Sequence, residues 1–332
     1  MESKRSNRRD ILAKAGLGAL TGLGSLIYPG LLRAESSYPQ KMVRIIVPFP
    51  PGGSTDALAR HIAEKLSSRW KQSVIIENKP GANTILGTDV VAKSAPDGHT
   101  LGIVAGSHCI NPFLSSKLPY DTLKDLTGLT MLTSFQMALY AAPDFPANNP
   151  AELIALARKQ NGKLAYGSAT TQSYLAMELL NHMAQTQMQY VPYKGSAQAI
   201  SDLLGGHVQL LIDPIAQGSV EFARQGKLKI IATLGSKPSD LAPTAPTMDS
   251  AVPGYEFSGV FGVIARHGTP TALLQYIRDE IATVLKLPDV AERIKTIGQE
   301  PVGSTPAQYN QYILAEMRKW EPVIKATGAR ID

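Results

Sequence analysis

Apolar and polar positions along this chain alternate in blocks that predict strands and helices in turn. The clearest strand is Val43–Val47, because β-branched, apolar residues are typical of a buried strand. After a short loop, Leu58, Ile62 and Leu66 recur every four residues, which indicates one buried face of a helix. Further apolar runs predict strands at Val74–Glu77, Thr100–Ala105, Leu164–Gly167, Gln189–Val191, Val208–Ile212, Leu228–Leu234 and Phe257–Ala265.

Three pairs of a helix-capping residue and a proline predict further helix starts. They are Asn149-Pro150, Thr269-Pro270 and Thr305-Pro306. The residues from Pro270 to about Lys325 are predicted to be mostly helical. Because strands alternate with helices, we expect an α/β protein with mainly parallel sheets.

A short pattern occurs twice. Val47-Pro48-Phe49 leads to Gly53-Ser54 and a helix, and Val191-Pro192-Tyr193 leads to Gly195-Ser196 and a helix. Two matches this short also arise by chance. If the repeat is real, it suits two similar lobes that face each other across a cleft, which is a favoured place for a ligand.

The amino-terminal segment predicts export. Arg8 and Arg9 precede a Gly-rich, mildly apolar run from Ala15 to Ile27, which is too short and too polar to span a membrane. This arrangement is typical of a signal peptide, here residues 1–34, and it resembles a twin-arginine export signal. A disordered basic tail is the alternative.

Charge and composition exclude several classes of function. The chain carries a net charge of +6, but residues 1–34 hold six basic and two acidic residues, so the remainder carries only +2. No basic stripe remains that would predict nucleic-acid binding. The single cysteine, Cys109, cannot form an internal disulfide, and the scattered histidines show no metal-ligand spacing. We therefore expect no metal and no cofactor.

The loop after the first strand predicts an anion site. Gly52 and Gly53 follow three prolines and precede Ser54, Thr55 and Asp56, all good helix N-caps. A helix start offers unpaired N–H groups and a partial positive charge, and glycine lets a ligand approach the backbone. An ordinary turn between a strand and a helix is the alternative.

Motifs throughout the chain carry a resemblance to a known family. The matching segments are Tyr38-Pro39 with VRIIVPFPPGGSTDALAR, IIENKPGA (Ile75–Ala82), APDGHTL (Ala95–Leu101), INP (Ile110–Pro112), LPYDTLKDL (Leu118–Leu126), VPYKGSAQAISDLLGGHVQLLID (Val191–Asp213) and GTPTALLQYIRDEI (Gly268–Ile281). In these segments the chain resembles the periplasmic substrate-binding proteins of tripartite tricarboxylate transporters, the Bug family. The resemblance implies a two-lobed, type II periplasmic-binding-protein fold, or Venus flytrap. Lobe one would be residues 39–140 plus 257–332, and lobe two residues 141–256.

The resemblance also implies where a ligand carboxylate is clasped. In the first loop, Gly53, Ser54 and Thr55 would donate hydrogen bonds, and Phe49 would form an apolar wall. The loop ends at Asp56. The second loop aligns with Gly167–Ser173 and contributes Ala169, Thr170, Thr171, Gln172 and Ser173. Thr171 and Gln172 add bulk where the family usually has glycine, so the pocket would be smaller or differently hydrogen-bonded.

Further residues are expected around the same pocket. The resemblance places Ser107 and His108 on its rim, at the end of another strand. Tyr193, which follows Val191-Pro192, is expected on the rim or in packing. Asp213 lies where family members often have an acid that faces the ligand. An acid there would pair with an amino group or a protonated second carboxyl group, and it would repel a free carboxylate.

The resemblance implies a periplasmic solute receptor that acts as a monomer and delivers its ligand to integral-membrane transporter subunits. The ligand would be a small carboxylate: a di- or tricarboxylate, an aromatic carboxylate or an amino acid. No enzymatic activity is expected. An exported enzyme that acts on a carboxylated metabolite, or a receptor that serves a sensor, remains the alternative.

Overall fold

A computed structural model describes residues 38–328 of the chain. The predicted signal peptide lies outside these residues. The strands are β1 Val43–Val47, β2 Val74–Asn78, β3 Thr100–Val104, β4 Leu126–Ala141, β5 Ala165–Ser168, β6 Gln189–Pro192, β7 Leu210–Pro214, β8 Lys229–Thr233, β9 Ser258–Arg266 and β10 Glu300–Pro301. The helices are α1 Ser54–Trp70, α2 Ile85–Ala92, α3 Ser107–Leu114, α4 Pro150–Gln160, α5 Thr171–Ala184, α6 Ser196–Leu204, α7 Gln217–Arg224, α8 Thr271–Leu285, α9 Pro288–Thr296 and α10 Pro306–Thr327.

One long strand, β4, organises the sheet. The strand order is β2-β1-β3-β9-β4-β7-β5-β6, and β8 and β10 also pair with β4. Residues Leu126–Gln136 of β4 pair with β9, and residues Met137–Ala141 pair with β7 and β8. We call β1, β2, β3, β9 and β10 the first half-sheet and β5–β8 the second half-sheet. The backbone of β4 therefore connects the two halves directly.

The sheet is mixed, whereas the sequence predicted mainly parallel pairing. The pairs β1–β2, β1–β3, β5–β6 and β5–β7 are parallel, as strand–helix–strand connections require. Strand β3 is antiparallel to β9, and every pairing of β4 is antiparallel. Most of the difference arises from β4, which sequence analysis missed because its apolar residues are interrupted by Thr, Ser, Gly and Gln.

The predicted helix starts are confirmed at two of three positions. Asn149 accepts a hydrogen bond from the Glu152 N–H and caps α4, and Thr305 forms a capping box with Gln308 at the start of α10. The prediction at Thr269 is wrong by one residue, because its hydroxyl bonds to the Arg266 carbonyl oxygen and Pro270 occupies the cap position of α8. The buried face of α1 at Leu58, Ile62 and Leu66 is confirmed.

Helix α10 packs against elements of both half-sheets. Its first part places Tyr309 and Ile313 in an apolar cluster with Ile46 of β1. Its last part places Trp320 in a second cluster that includes Tyr166 of β5 and residues of α4 and α5. The predicted lobe boundaries assign all of 257–332 to lobe one, and they stay a prediction. Packing makes α10 a bridge between the two half-sheets.

In residues 38–328, no helix is both long enough and apolar enough to cross a membrane.

We expect Trp320→Ala to destabilise the folded protein by about 3–5 kcal/mol, because it opens a cavity where α10 meets the second half-sheet. The indole is buried, packs edge-on against Phe257 at 5.6 Å between ring centroids, and donates from Nε1 to Glu316 at 2.8 Å. Urea unfolding monitored by circular dichroism measures the loss. Leu314→Ala, on the exposed side of the same helix, is the control and should change stability by about 0.5 kcal/mol or less.

Candidate functional site

The loop between β1 and α1 is held in shape by Asp56. Its Oδ2 accepts from the Gly52 N–H at 2.9 Å and from Arg60 Nε at 3.0 Å, and its Oδ1 accepts from Asn78 Nδ2 at 2.9 Å. Asn78 also donates to the Phe49 carbonyl oxygen at 3.1 Å. The Arg60 guanidinium, outweighing burial, lowers the pKa of the Asp56 carboxyl group to about 2. Asp56 is therefore a charged brace within the loop, and these bonds occupy both of its oxygens.

The start of α1 differs from the predicted one. Gly53, in extended backbone, is the N-cap and offers no capping side chain, while Ser54, Thr55 and Asp56 are the first three helical residues. The prediction that one of these three caps the helix is wrong, because Asp56 is drawn to the Gly52 N–H instead. A helix start that no side chain caps retains free N–H groups. Such groups can receive an anion.

Phe49 lies on an aromatic stack. Its ring meets Phe261 of β9 edge-on, at 6.0 Å between centroids and an interplanar angle of 81°. Phe261 in turn lies 5.4 Å from Phe135 of β4. The stack fixes the half-buried Phe49 ring beside the loop.

The second loop, between β5 and α5, is capped internally. Thr170 Oγ1 accepts from the Ser173 N–H at 3.0 Å and lies 2.8 Å from Ser173 Oγ. Ser168 Oγ donates to the Thr170 carbonyl oxygen at 3.0 Å, and Ala169 lies half-buried between them. The hydroxyl groups of Thr170 and Ser173 therefore stabilise the start of α5. The side chains of Thr171 and Gln172 take no part in this cap and make their contacts outside the loop.

The start of α5 meets the first half-sheet at a segment that sequence analysis did not single out. Thr171 Oγ1 lies 3.4 Å from Asn83 Oδ1, and the Gln172 amide packs on Gly106. Asn83 belongs to Gly81–Thr84, where all four residues have positive φ, an uncommon conformation for the three that are not glycine. The motif IIENKPGA contains Gly81 and Ala82, but nothing local indicates their conformation.

Ser107 and His108 open helix α3, whereas the sequence placed them at the end of a strand. Strand β3 ends at Val104, and Gly106 is the N-cap of α3. Ser107 Oγ lies 2.9 Å from Thr84 Oγ1, so it stands next to the segment that meets α5. His108 is buried, and burial lowers its pKa to about 4, so the imidazole is neutral at pH 7. Its Nδ1 has no hydrogen-bond partner within residues 38–328.

Tyr193 and Asp213 lie on the second half-sheet beside helix α6. The Tyr193 ring covers Gly167, where a side chain would collide with it, and burial together with a hydrogen bond to Asp202 raises the pKa of the tyrosine. Asp213 lies within β7, and its Oδ1 accepts from Ser196 Oγ at 2.7 Å. Burial raises the pKa of Asp213 to about 6, although the Ser196 hydroxyl opposes the shift.

A cavity of about 440 Å³ lies elsewhere, beside the middle of β4. It is lined by Gln136, Ile215 and Lys295 among others, and by none of the predicted site residues. Within the described part of the chain, no group of three His, Cys, Asp or Glu side chains is placed to hold a metal ion.

Comparison with known proteins identifies close similarities. The profile of a family described as tripartite tricarboxylate transporter family receptor matches residues 58–329. Protein BugT of Bordetella pertussis is 34% identical over 303 residues, which are 90% of this chain and 93% of that protein.

Two solved structures are similar over most of the chain. One is described as R. palustris Rpa4515 with adipate: it is 32% identical, has a TM-score of 0.74, and the match covers 88% of this chain and 99% of that one. The other is MatC (Rpa3494) from Rhodopseudomonas palustris with bound malate, 30% identical with a TM-score of 0.71, over 86% of this chain and 100% of that one. These similarities confirm the predicted α/β, two-lobed periplasmic-binding-protein fold.

The two aspartates should make opposite contributions to the pH dependence of stability. The pKa of Asp213 rises from 3.8 to about 6 on folding. Its contribution to folding stability is therefore fully present below pH 4 and is lost as pH rises through 6. A shift of this size corresponds to about 3 kcal/mol. We expect the free energy of unfolding of Asp213→Asn, measured with urea, to rise relative to that of wild type between pH 4 and pH 7. Parallel stability curves over that interval would contradict the raised pKa.

Asp56→Asn is the matched control, because its effect on stability should change with pH in the opposite direction. The pKa of Asp56 falls from 3.8 to about 2, so its contribution is present above pH 4 and is lost as pH falls through 2. The variant should therefore be less stable than wild type at pH 7 and approach it in acid.

Proposed function

Since this chain belongs to the tripartite tricarboxylate transporter receptor family, we propose that it is a periplasmic solute-binding protein. It captures a small carboxylated metabolite in a cleft between its lobes and delivers it to the integral-membrane subunits of a transporter. Two structural neighbours hold adipate and malate, which are both dicarboxylates. The proposed binding lobes are residues 39–140 plus 257–332 and residues 141–256, and they close on the ligand.

The observation that carries the proposal is a pair of strand–helix junctions, one on each half-sheet. Helix α1 begins without a side-chain cap at Gly53, and Asp56 fixes the loop in front of it. Helix α5 begins at Thr171, whose hydroxyl donates to Asn83 Oδ1 in the loop between β2 and α2. Both helix starts favour an anion through N–H groups and the helix dipole. In the proposed complex, one ligand carboxylate lies between them.

Gly53, Ser54, Thr55 and Thr171 are the proposed donors to this carboxylate, and Phe49 is the proposed apolar wall. The Thr171 hydroxyl has one proton, which it turns from Asn83 Oδ1 to the ligand in the proposed complex. Asp56 supports the loop through three accepted hydrogen bonds, and it does not bind the ligand carboxylate because it is ionised and has no proton to donate. Thr170 and Ser173 act in the same way, through the cap of α5.

Asp213 is proposed to recognise the far end of the ligand. With a pKa of about 6, its carboxyl group is partly protonated in mildly acidic medium. The protonated form can donate a hydrogen bond to a second carboxylate, and the ionised form can accept one from an ammonium group. Tyr193 backs this region by packing on Gly167. Di- and tricarboxylates are therefore favoured at lower pH, and amino acids at higher pH.

We expect carboxylates to raise the melting temperature of the mature protein, since a ligand that binds only the folded state stabilises it. Calorimetric titration of the best ligand should show Thr171→Val weakened by about tenfold to a hundredfold, because a hydrogen bond to a charged group contributes about 1.5–3 kcal/mol. The amide analogue of that ligand, which lacks the charge, should not bind to wild type.

Thr283→Val is the control for this experiment. Its hydroxyl is exposed on α8 and bonds only within the helix, to the Asp279 carbonyl oxygen at 2.8 Å, so affinity should not change. Binding of the amide as tightly as the acid would refute the anion site. Conversion of the bound carboxylate into a product would favour an exported enzyme over a receptor.

Export by the twin-arginine route is part of the proposal and rests on Arg8 and Arg9. Replacing both by lysine keeps the charge but removes the guanidinium pair that the signal presents. We expect the double variant to accumulate as precursor in the cytoplasm, measured by fractionation and immunoblotting. Periplasmic delivery in a strain that lacks the twin-arginine system would show that another route is used.

A further inference from the structure

Two consecutive side chains of α5 cross to the first half-sheet. Thr171 reaches Asn83 at 3.4 Å, and Gln172 extends as far as Gly106, just before α3. Gly106 has φ −56° and ψ −22°, an ordinary helical conformation that any residue adopts. A side chain at Gly106 is therefore limited by the space that the Gln172 amide takes up and not by backbone conformation. A methyl group at Gly106 would overlap the Gln172 amide and lie 3.3 Å from Gln172 Cδ.

Both ends of this crossing are fixed. On the first half-sheet, Asn83 Nδ2 donates to Asn111 Oδ1 at 2.7 Å, and Asn111 Nδ2 donates to the Asn83 carbonyl oxygen at 2.9 Å. On the second, the Thr170–Ser173 cap holds the first turn of α5. The Gln172 side chain is a spacer between these supports: because both supports are fixed, a shorter side chain at this position leaves the vacated space open.

We propose that Gln172, seated on Gly106, sets the length of the carboxylate that the cleft accepts. The inference rests on the proposed function. The Gln172 side chain fills space between the start of α5 and the start of α3, and it adjoins Thr171, one of the proposed donors to the ligand carboxylate. Shortening it frees room for further methylene groups of a ligand. Wild type therefore prefers short dicarboxylates, and a variant without the spacer accepts longer ones.

The test is calorimetric titration of straight-chain dicarboxylates from succinate to suberate. In Gln172→Ala, the affinity ratio of long to short ligands should rise by at least about tenfold, the discrimination that one methylene group typically gives. In Gly106→Ala, the methyl group displaces Gln172 into the cleft, so affinity for every member should fall by about tenfold or more.

The double variant Gly106→Ala/Gln172→Ala distinguishes a displaced spacer from a damaged fold. With alanine at 172 nothing opposes the new methyl group, so the double variant should bind as Gln172→Ala does. Gly218→Ala is the matched control: Gly218 lies in α7 with no atom within 4 Å of an added methyl group, and this variant should keep the wild-type profile. Should Gly106→Ala fail to fold, the Gln172→Ala series alone decides.

Two negative outcomes differ in meaning. If wild type binds these ligands and Gln172→Ala keeps the same length preference, the spacer role is wrong while the proposed receptor stands. If wild type binds none of them or of any other carboxylate, the proposed function fails and the spacer role fails with it.

Discussion

The backbone ladder of β4 is the constraint on which the rest of the structure depends. Residues Met137–Ala141 are almost fully buried, so their N–H and C=O groups must find partners within the protein. They find them in β7 and β8, while the preceding residues of the same strand pair with β9. Neither half-sheet can therefore separate from the other without exposing unpaired backbone. A bend of β4 at the change of partners, between Gln136 and Met137, would leave both sets of backbone hydrogen bonds in place.

Local signals in the sequence predicted most elements, and long-range contacts account for what was missed. Asn149 and Thr305 were predicted as caps because a side chain that bonds three residues ahead is a purely local interaction. Strand β4 carries no such signal, since its pairing is with segments far along the chain. The meeting of Thr171 with Asn83 spans 88 residues, and the cap at Gly53 depends on Asp56 being drawn away by Gly52 and Asn78. No local pattern encodes either.

Asp56 and Asp213 show how surroundings give one residue type two roles. Asp56 is almost fully buried but accepts from an N–H group, an amide and a guanidinium, so its charge is stabilised. For Asp213, burial is the dominant influence, and a single neutral hydroxyl, from Ser196, is too weak to offset it, so the charge is disfavoured. The first carboxylate stays ionised and has no proton to donate to a ligand carboxylate. The second keeps an oxygen that accepts none of these bonds, together with a proton that it exchanges near pH 6.

Family membership and ligand choice depend on different parts of the proposed site. An anion site made of helix N–H groups requires only that the loops before α1 and α5 leave those N–H groups free. Many sequences can provide such loops. The proposed site is therefore compatible with an identity of only about 30% to structural neighbours that hold adipate and malate. In the proposed site, Thr171, Gln172 and Asp213 act through their side chains, so one substitution at any of them would change the length or charge of the space open to the ligand. On this proposal, ligand identity is decided by a few positions that the overall fold does not constrain.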